Sequence, residues 1–394
     1  MGLSMQLLPF FLDKKDQYKQ WRRTIHSHPE LAYEEHVTSD FIAEKLNSFG
    51  LEVVRGIGKT GLVATLRNGK SDRSVGLRAD MDALPIQEMN TFSHRSKQDG
   101  IMHACGHDGH TVMLLAAAEY LSENRFFEGV IHFIFQPAEE GEAGAQAMIN
   151  EGLFDDFPIE SVFAVHNWPG LDVGKMAMRP GPTMAAFDIF SADIKGEGGH
   201  AALPHLVSDT IHVAAQIVLA WQTIVSRNIK PTDPAVLSVT RFHGGDAWAV
   251  VPKTVELGGT VRTFTEPVQD LIAKRMREIA ENICQANNCD LTWRYDKRYP
   301  ATVNSHDETK VATAAAQAVC GEESVDPKVD MVTGSEDFGF MLQKKPGCYA
   351  FIGNGPGEGG CMLHSPTFDF NDEITPIGAS YWVKIIEMVL DPNN

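Results

Sequence analysis

Long apolar runs are missing from this chain. In 394 residues no stretch approaches the roughly 18 consecutive apolar positions that a membrane helix needs, so no membrane span is expected. Basic residues are scarce as well: 34 Lys and Arg face 52 Asp and Glu, a formal net charge of −18. A surface of that sign repels phosphate backbones and anionic bilayers, which argues against nucleic acid and membranes as partners. Cysteine is sparse too. The six thiols, at 105, 284, 289, 320, 348 and 361, lie too far apart for a small secreted scaffold and read as reduced and cytoplasmic. Residues 1–12 carry neither a basic opening nor a small-residue cleavage site, and Gln6 breaks the pattern for a myristoyl group on Gly2. Neither a signal peptide nor a lipid is expected. Apolar residues, by contrast, make up 43% of the chain and are spread throughout, which argues against disorder. Length alone predicts two or three domains.

The first part of the chain alternates helical and strand-like stretches. Helices are predicted over 16–25 and 34–49, the second closed by Gly50, then strands over 61–66 and 74–78. A helix over 109–123 and strands over 130–135 and 162–165 follow. Short apolar runs between helices point to an α/β layer domain with a largely buried sheet. The middle reads differently. A strand at 186–195, a helix at 209–227, strands at 235–242 and 254–264, a helix at 267–288 and a strand at 289–299 give the split βαβ, ferredoxin-like order βαββαβ. A helix at 308–319, a strand at 348–352 and a helix at 375–389 close the chain. The expected architecture is one α/β domain from 1–182 and 300–394, interrupted by a module at 183–299.

Chemistry-bearing residues gather at four places. The densest is His103-Ala-Cys105-Gly-His107-Asp108-Gly-His110, three histidines and a cysteine in eight residues. Cys105 and His107, at i and i+2 of an extended segment, would point the same way and could share a metal ion; a polar loop with capping histidines is the competing reading. The second is Glu139-Glu140, just beyond the strand Val130–Phe135, where the carboxyl ends of α/β strands place ligand sites. One carboxylate can bind a metal while the other serves as general base, although such loops also occur as plain acidic surface. His132, inside that strand, reads as a core histidine. His166 follows the apolar run Val162–Val165, and His364 follows a glycine-rich stretch. Positions 355–360 formally match a dinucleotide fingerprint, but Ser365-Pro366 stands where its helix should be, so a phosphate cradle is rejected. A Cys105–His107 nucleophile pair would leave the other clusters idle.

Together the blocks 77–85 (LRADMDALP), His103–His110, Gln136–Gly141 (QPAEEG), Gly198–His205 (GGHAALPH), Gly334–Phe338 (GSEDF) and Leu363–Pro366 resemble the hippurate hydrolase group. That group comprises N-acyl-amino-acid amidohydrolases, including indole-acetyl-amino-acid hydrolases, among the aminoacylase and carboxypeptidase metallohydrolases. The resemblance runs in order through nearly the whole chain. It implies a zinc-peptidase-like catalytic domain with an inserted lid or dimerisation domain, hence a homodimer or higher homo-oligomer. It also implies one or two divalent ions per subunit, zinc, manganese, cobalt or nickel. Cys105, His107, Glu140, His166 and His364 would be ligands, Glu139 the general base, and Asp82 a carboxylate orienting a metal-bound imidazole. His200 on the lid would stabilise the oxyanion, supplied in related dimers by the partner subunit. The chain departs from the group's pattern at Ala249, where Asn is usual. Arg262 matches the group and would pair with a substrate carboxylate. Trp248 is a candidate wall of an apolar subsite or a packing residue, and His205 a further candidate substrate contact. The implied reaction is hydrolysis of an N-acyl amide by metal-activated water, with a metallo-carboxypeptidase or dipeptidase acting on short peptides as the alternative.

Overall fold

The computed structural model describes residues 5–356 and 361–392. The reading of Gly2 and the end of the rejected fingerprint, at 357–360, lie outside the described residues. Two compact units emerge. The first holds the described residues up to Thr183, Val303–Asp330 and those from Asp337 onward; the second holds Met184–Thr302 and Met331–Glu336. No helix among the described residues is long and apolar enough to cross a membrane.

In the first unit an eight-stranded mixed sheet has four parallel strands at its centre. In spatial order they are Gly129–Gln136, Ser74–Asp80, Ser161–Pro169 and Gly347–Gly355. Nearly every residue of these four is buried, which explains their continuous apolar composition. Helices His107–Glu123 and Thr375–Val389 contribute Leu114, Leu121, Trp382 and Ile386 to the core against Phe133, Phe163 and Ala350. Outside the central four, Gly61–Asn68 pairs antiparallel with Gly129–Gln136, and Glu52–Ile57 pairs antiparallel with Gly61–Asn68. Periodicity missed Glu52–Ile57 because it has no buried residue and hence no alternating apolar face.

The second unit has a four-stranded antiparallel sheet, in spatial order Ala235–His243, Thr254–Thr263, Ala186–Lys195 and Asp290–Tyr299. Ala186–Lys195 alternates buried and part-exposed residues, as one-sided burial requires. Helices Thr210–Asn228 and Glu266–Ala286 supply Ile217, Trp221, Ile272 and Met276 to its core. Asp209 caps the first helix, accepting from His212 N at 3.0 Å. The indole of Trp221 donates to Met276 O at 2.9 Å, so its one polar atom is satisfied within the core. A short hairpin, Gly199–His200 against Val250–Val251, stands outside this sheet.

Candidate metal centre

Three adjacent parallel strands deliver side chains to one end of the first unit. Ser74–Asp80 leads to Asp82, Gly129–Gln136 leads to Glu139 and Glu140, and Ser161–Pro169 carries His166. The fourth contribution comes from helix His107–Glu123. Here the structure corrects the extended-segment argument. Gly106 has φ +95, and His107 is the first helical residue. The chain therefore turns sharply between Cys105 and His107, and the two meet the cluster from different sides of that turn. A methyl group at Gly106 would lie 2.2 Å from Asn167 Oδ1. Gly106→Ala should therefore lose at least about 2 kcal/mol of stability, combining left-handed strain with overpacking. Urea denaturation measures this, and an unchanged midpoint would contradict it.

Around this turn the donors converge. His107 Nδ1 donates to Asp82 O at 3.0 Å and Asp82 Oδ1 at 3.2 Å, which aims Nε2 the other way. That Nε2 has no hydrogen-bond partner among the described residues; it stands 3.8 Å from Asp80 Oδ2 and 3.9 Å from Glu140 Oε1. Glu140 Oε1 is likewise buried, and its nearest cationic neighbour is His364 Nε2 at 3.3 Å. Asp82 works on both residues, because its Oδ2 accepts from Glu140 N at 2.9 Å. Cys105 Sγ is 3.4 Å from His166 Nε2, while His166 Nδ1 donates to Asn167 O at 2.7 Å. Donor atoms of Cys105, Glu140 and His364 lie within 4.8 Å of one another, as do those of His107, Glu139 and Glu140.

The electrostatics describe a cluster short of positive charge. Burial, then the carboxylates of Glu140, Glu139 and Asp80, push the Cys105 thiol well above its ordinary range. Burial opposes protonation of His107, yet Asp80, Asp82 and Glu140 lift its pKa to about 10. Burial holds His166 well below the usual histidine value. A divalent cation is the group that would reverse this field, lowering the thiol pKa and occupying Glu140 Oε1 and the orphaned His107 Nε2. Thiol, imidazole and carboxylate donors together fit such an ion.

Six of the residues singled out from the sequence, Cys105, His107, Glu139, Glu140, His166 and His364, thus share one neighbourhood, with Asp82 behind them. Two histidines of the same motif are otherwise engaged or enclosed. His110 is held between Asp80 Oδ1 and Asn167 Oδ1, each at 2.6 Å, and His103 is buried with neither ring nitrogen bonded to a described residue. His132 is a core histidine, bonded to Thr65 Oγ1 at 3.1 Å and lowered to about 4 by burial. The remaining residues belong to the second unit. His200 is exposed in the short hairpin and His205 is exposed in the turn Pro204–Leu206. Trp248 is 105% exposed, so it packs against nothing in its own unit. Arg262 stacks over Phe187 at 4.0 Å and donates to Ser335 Oγ.

The sequence alone assigns no role to Ala138, Glu35 or Asp337, although Asp337 lies in the Gly334–Phe338 block. Ala138 sits at φ +54, a left-handed turn that sends Glu139 and Glu140 out of their strand. Glu35 accepts from Ala138 N at 2.9 Å and from Thr60 Oγ1, which holds that turn. Asp337 accepts from Gln136 Nε2 at 2.8 Å, Ala145 N at 2.8 Å and Arg78 Nη2 at 3.1 Å, and its own N donates to Glu139 Oε1 at 3.4 Å.

Thiol, imidazole and carboxylate donors gathered at the carboxyl ends of parallel strands fit the class of metal-dependent hydrolases. The family model for peptidase family M20/M25/M40 matches residues 76–388, and the chain belongs to that family. It is 39% identical over 381 residues to hippurate hydrolase of Campylobacter jejuni, covering 97% of this chain and 98% of that protein. It is 46% identical over 287 residues to an N-acyl-L-amino acid amidohydrolase of Geobacillus stearothermophilus, covering 72% and 77%. Among solved structures, a dinuclear metal-binding M20 peptidase from Bacillus subtilis superposes with a TM-score of 0.84 at 32% identity, covering 96% of this chain and 99% of that one.

Proposed function

We propose that this protein is a metal-dependent amidohydrolase that cleaves the amide bond of N-acyl amino acids or related N-acyl amides. The observation that carries the reading is the convergence of His107 Nε2, which no described residue bonds, with Glu140 Oε1, 3.3 Å from His364 Nε2, beside Cys105 and the separately held Glu139. The named activities of the Campylobacter and Geobacillus relatives support the substrate class. Cys105, His107, Glu140, His166 and His364 would hold one or two divalent ions, zinc being favoured by the thiolate, with manganese, cobalt and nickel also compatible. When bound, such an ion supplies Lewis acidity toward the amide carbonyl and lowers the pKa of water. Glu139 then accepts the proton of the attacking water and returns it to the departing nitrogen. Asp82 fixes the His107 ring and the Glu140 backbone.

The second unit, taken as 183–299, is assigned as a ferredoxin-like lid and dimerisation domain on the catalytic domain of 1–182 and 300–394. On it, His200 donates to the oxyanion, across a homodimer; Arg262 pairs with the substrate carboxylate, and Trp248 and His205 line the substrate. The setting is cytoplasmic. Chelation should abolish hydrolysis of a panel of N-acyl amino acids, and add-back of zinc, manganese, cobalt or nickel should restore it. Turnover that survives chelation and dies on thiol alkylation would overturn the reading in favour of a cysteine hydrolase. Faster cleavage of unblocked peptides than of N-acetyl amino acids would favour a carboxypeptidase.

A further inference from the structure

A cleft of about 530 Å³ opens beside Glu140 in the first unit, walled by Leu31, Tyr33, Lys59, Ala83 and Pro85. Two of its wall residues have backbones that non-glycine residues avoid: Tyr33 at φ +63 and Lys59 at φ +72. They face each other, the Lys59 ammonium lying 3.8 Å from the centre of the Tyr33 ring. Lys59 lies in the hairpin turn between Glu52–Ile57 and Gly61–Asn68, which accounts for its positive φ, whereas the Tyr33 backbone persists only where its surroundings hold it. Those surroundings are visible. The Tyr33 hydroxyl donates to Glu142 O at 2.8 Å, Ala83 N donates to Glu30 O at 2.8 Å, and Gly58 N donates to Glu151 Oε2 at 2.7 Å. The ring is therefore a fixed wall.

Charge decides which end of a substrate suits the cleft. Glu34 and Glu142 line it, so with Glu140 committed to the metal two carboxylates still stand against one ammonium that an aromatic ring already covers. A free carboxylate is repelled there, whereas a flat or bulky uncharged group meets Leu31, Ala83, Pro85 and the Tyr33 ring. The volume lies in the range of small-molecule pockets and far exceeds what an acetyl group fills. We propose that this cleft is the acyl-group subsite, built for a bulky uncharged acyl group, with Tyr33 the residue that sets the size preference. This rests on the amidohydrolase reading above.

The test compares kcat/KM for the N-benzoyl and N-acetyl derivatives of one amino acid in wild type, Tyr33→Gly and Tyr33→Phe. Glycine tolerates the left-handed backbone and removes the ring; phenylalanine keeps the ring. The benzoyl-to-acetyl ratio should fall at least tenfold in Tyr33→Gly and stay within threefold of wild type in Tyr33→Phe. A ratio unchanged in Tyr33→Gly overturns the proposal. So does a wild-type preference for the N-succinyl derivative that Lys59→Ala removes, because the cleft would then select anions. If wild type cleaves none of these compounds, the amidohydrolase reading fails separately, and the cleft is read by calorimetric titration with the N-benzoyl amino acid. Binding weakened tenfold in Tyr33→Gly still supports the cleft; equal binding, or none to wild type, overturns it.

Discussion

Glu139→Gln should lower kcat by about 10²–10⁴-fold while leaving the metal bound per subunit unchanged. The substitution removes the one thing a general base needs, a site that accepts a proton at neutral pH, and keeps the shape. Glu139 is 7% exposed, and its Oε1 accepts from Asp337 N at 3.4 Å, a contact that the amide oxygen of Gln preserves. Its neighbour is held for a different task. Glu140 N is fixed to Asp82 at 2.9 Å, and Glu140 Oε1 faces His364 and His107 at 3.3 and 3.9 Å. Glu140→Gln should therefore lose metal as well as rate, and the two variants separate base from ligand. Elemental analysis alongside single-turnover kinetics measures both. Loss of metal in Glu139→Gln, or wild-type turnover, would sink the assignment.

The division between legible and illegible follows burial. The central strands stand out in the sequence because burial on both faces forces apolar runs such as Val130-Ile-His-Phe-Ile-Phe135. Strand Glu52–Ile57 leaves no such trace. At the centre, Cys105, His107, Glu139, Glu140, His166 and His364 are visible because their residue types are rare, dense or placed at strand ends. Their roles within the cluster are less visible. Nothing in the spacing says that His110 is consumed by Asp80 and Asn167 while His107 keeps Nε2 free, since that depends on the turn at Gly106. The supporting charges are invisible for a further reason. Glu35, Asp337 and Arg22 each stand beside a second charge of the same sign, Glu34, Glu336 and Arg23, where the ordinary expectation is a solvated surface. Each meets partners tens to hundreds of positions away, as Asp337 meets Gln136 and Arg22 meets Asp372.

Arg22 carries the second large expectation: Arg22→Met should destabilise the protein by about 3–5 kcal/mol. Its guanidinium is fully buried. It bonds Asp372 through Nε at 2.6 Å, and through Nη1 it bonds Asp369 at 2.7 Å and Asp108 at 3.2 Å. Methionine fills comparable volume but leaves these carboxylates without their cation, and unpaired buried charge is what makes breaking such a network costly. His26 is the second cation there, facing Asp108, Glu88, Arg22, His94 and His103. Burial alone would lower its pKa, but the bonds to Asp108 at 2.9 Å and Glu88 at 3.2 Å raise it from 6.5 to about 9. A raised pKa means the folded state holds the proton more tightly, so the contribution, about 3 kcal/mol, is complete below pH 6.5 and fades as pH climbs through 9. The difference in unfolding free energy between wild type and His26→Gln should accordingly shrink between pH 6.5 and 9; a difference flat across that window would refute the assignment. Metal affinity should follow the same network, because Asp108 directly follows His107 and Asp369 lies shortly after His364 in the chain. Arg22→Met should release metal to a chelator faster than wild type at temperatures where both remain folded, and equal release rates would show that the Arg22 network serves stability alone.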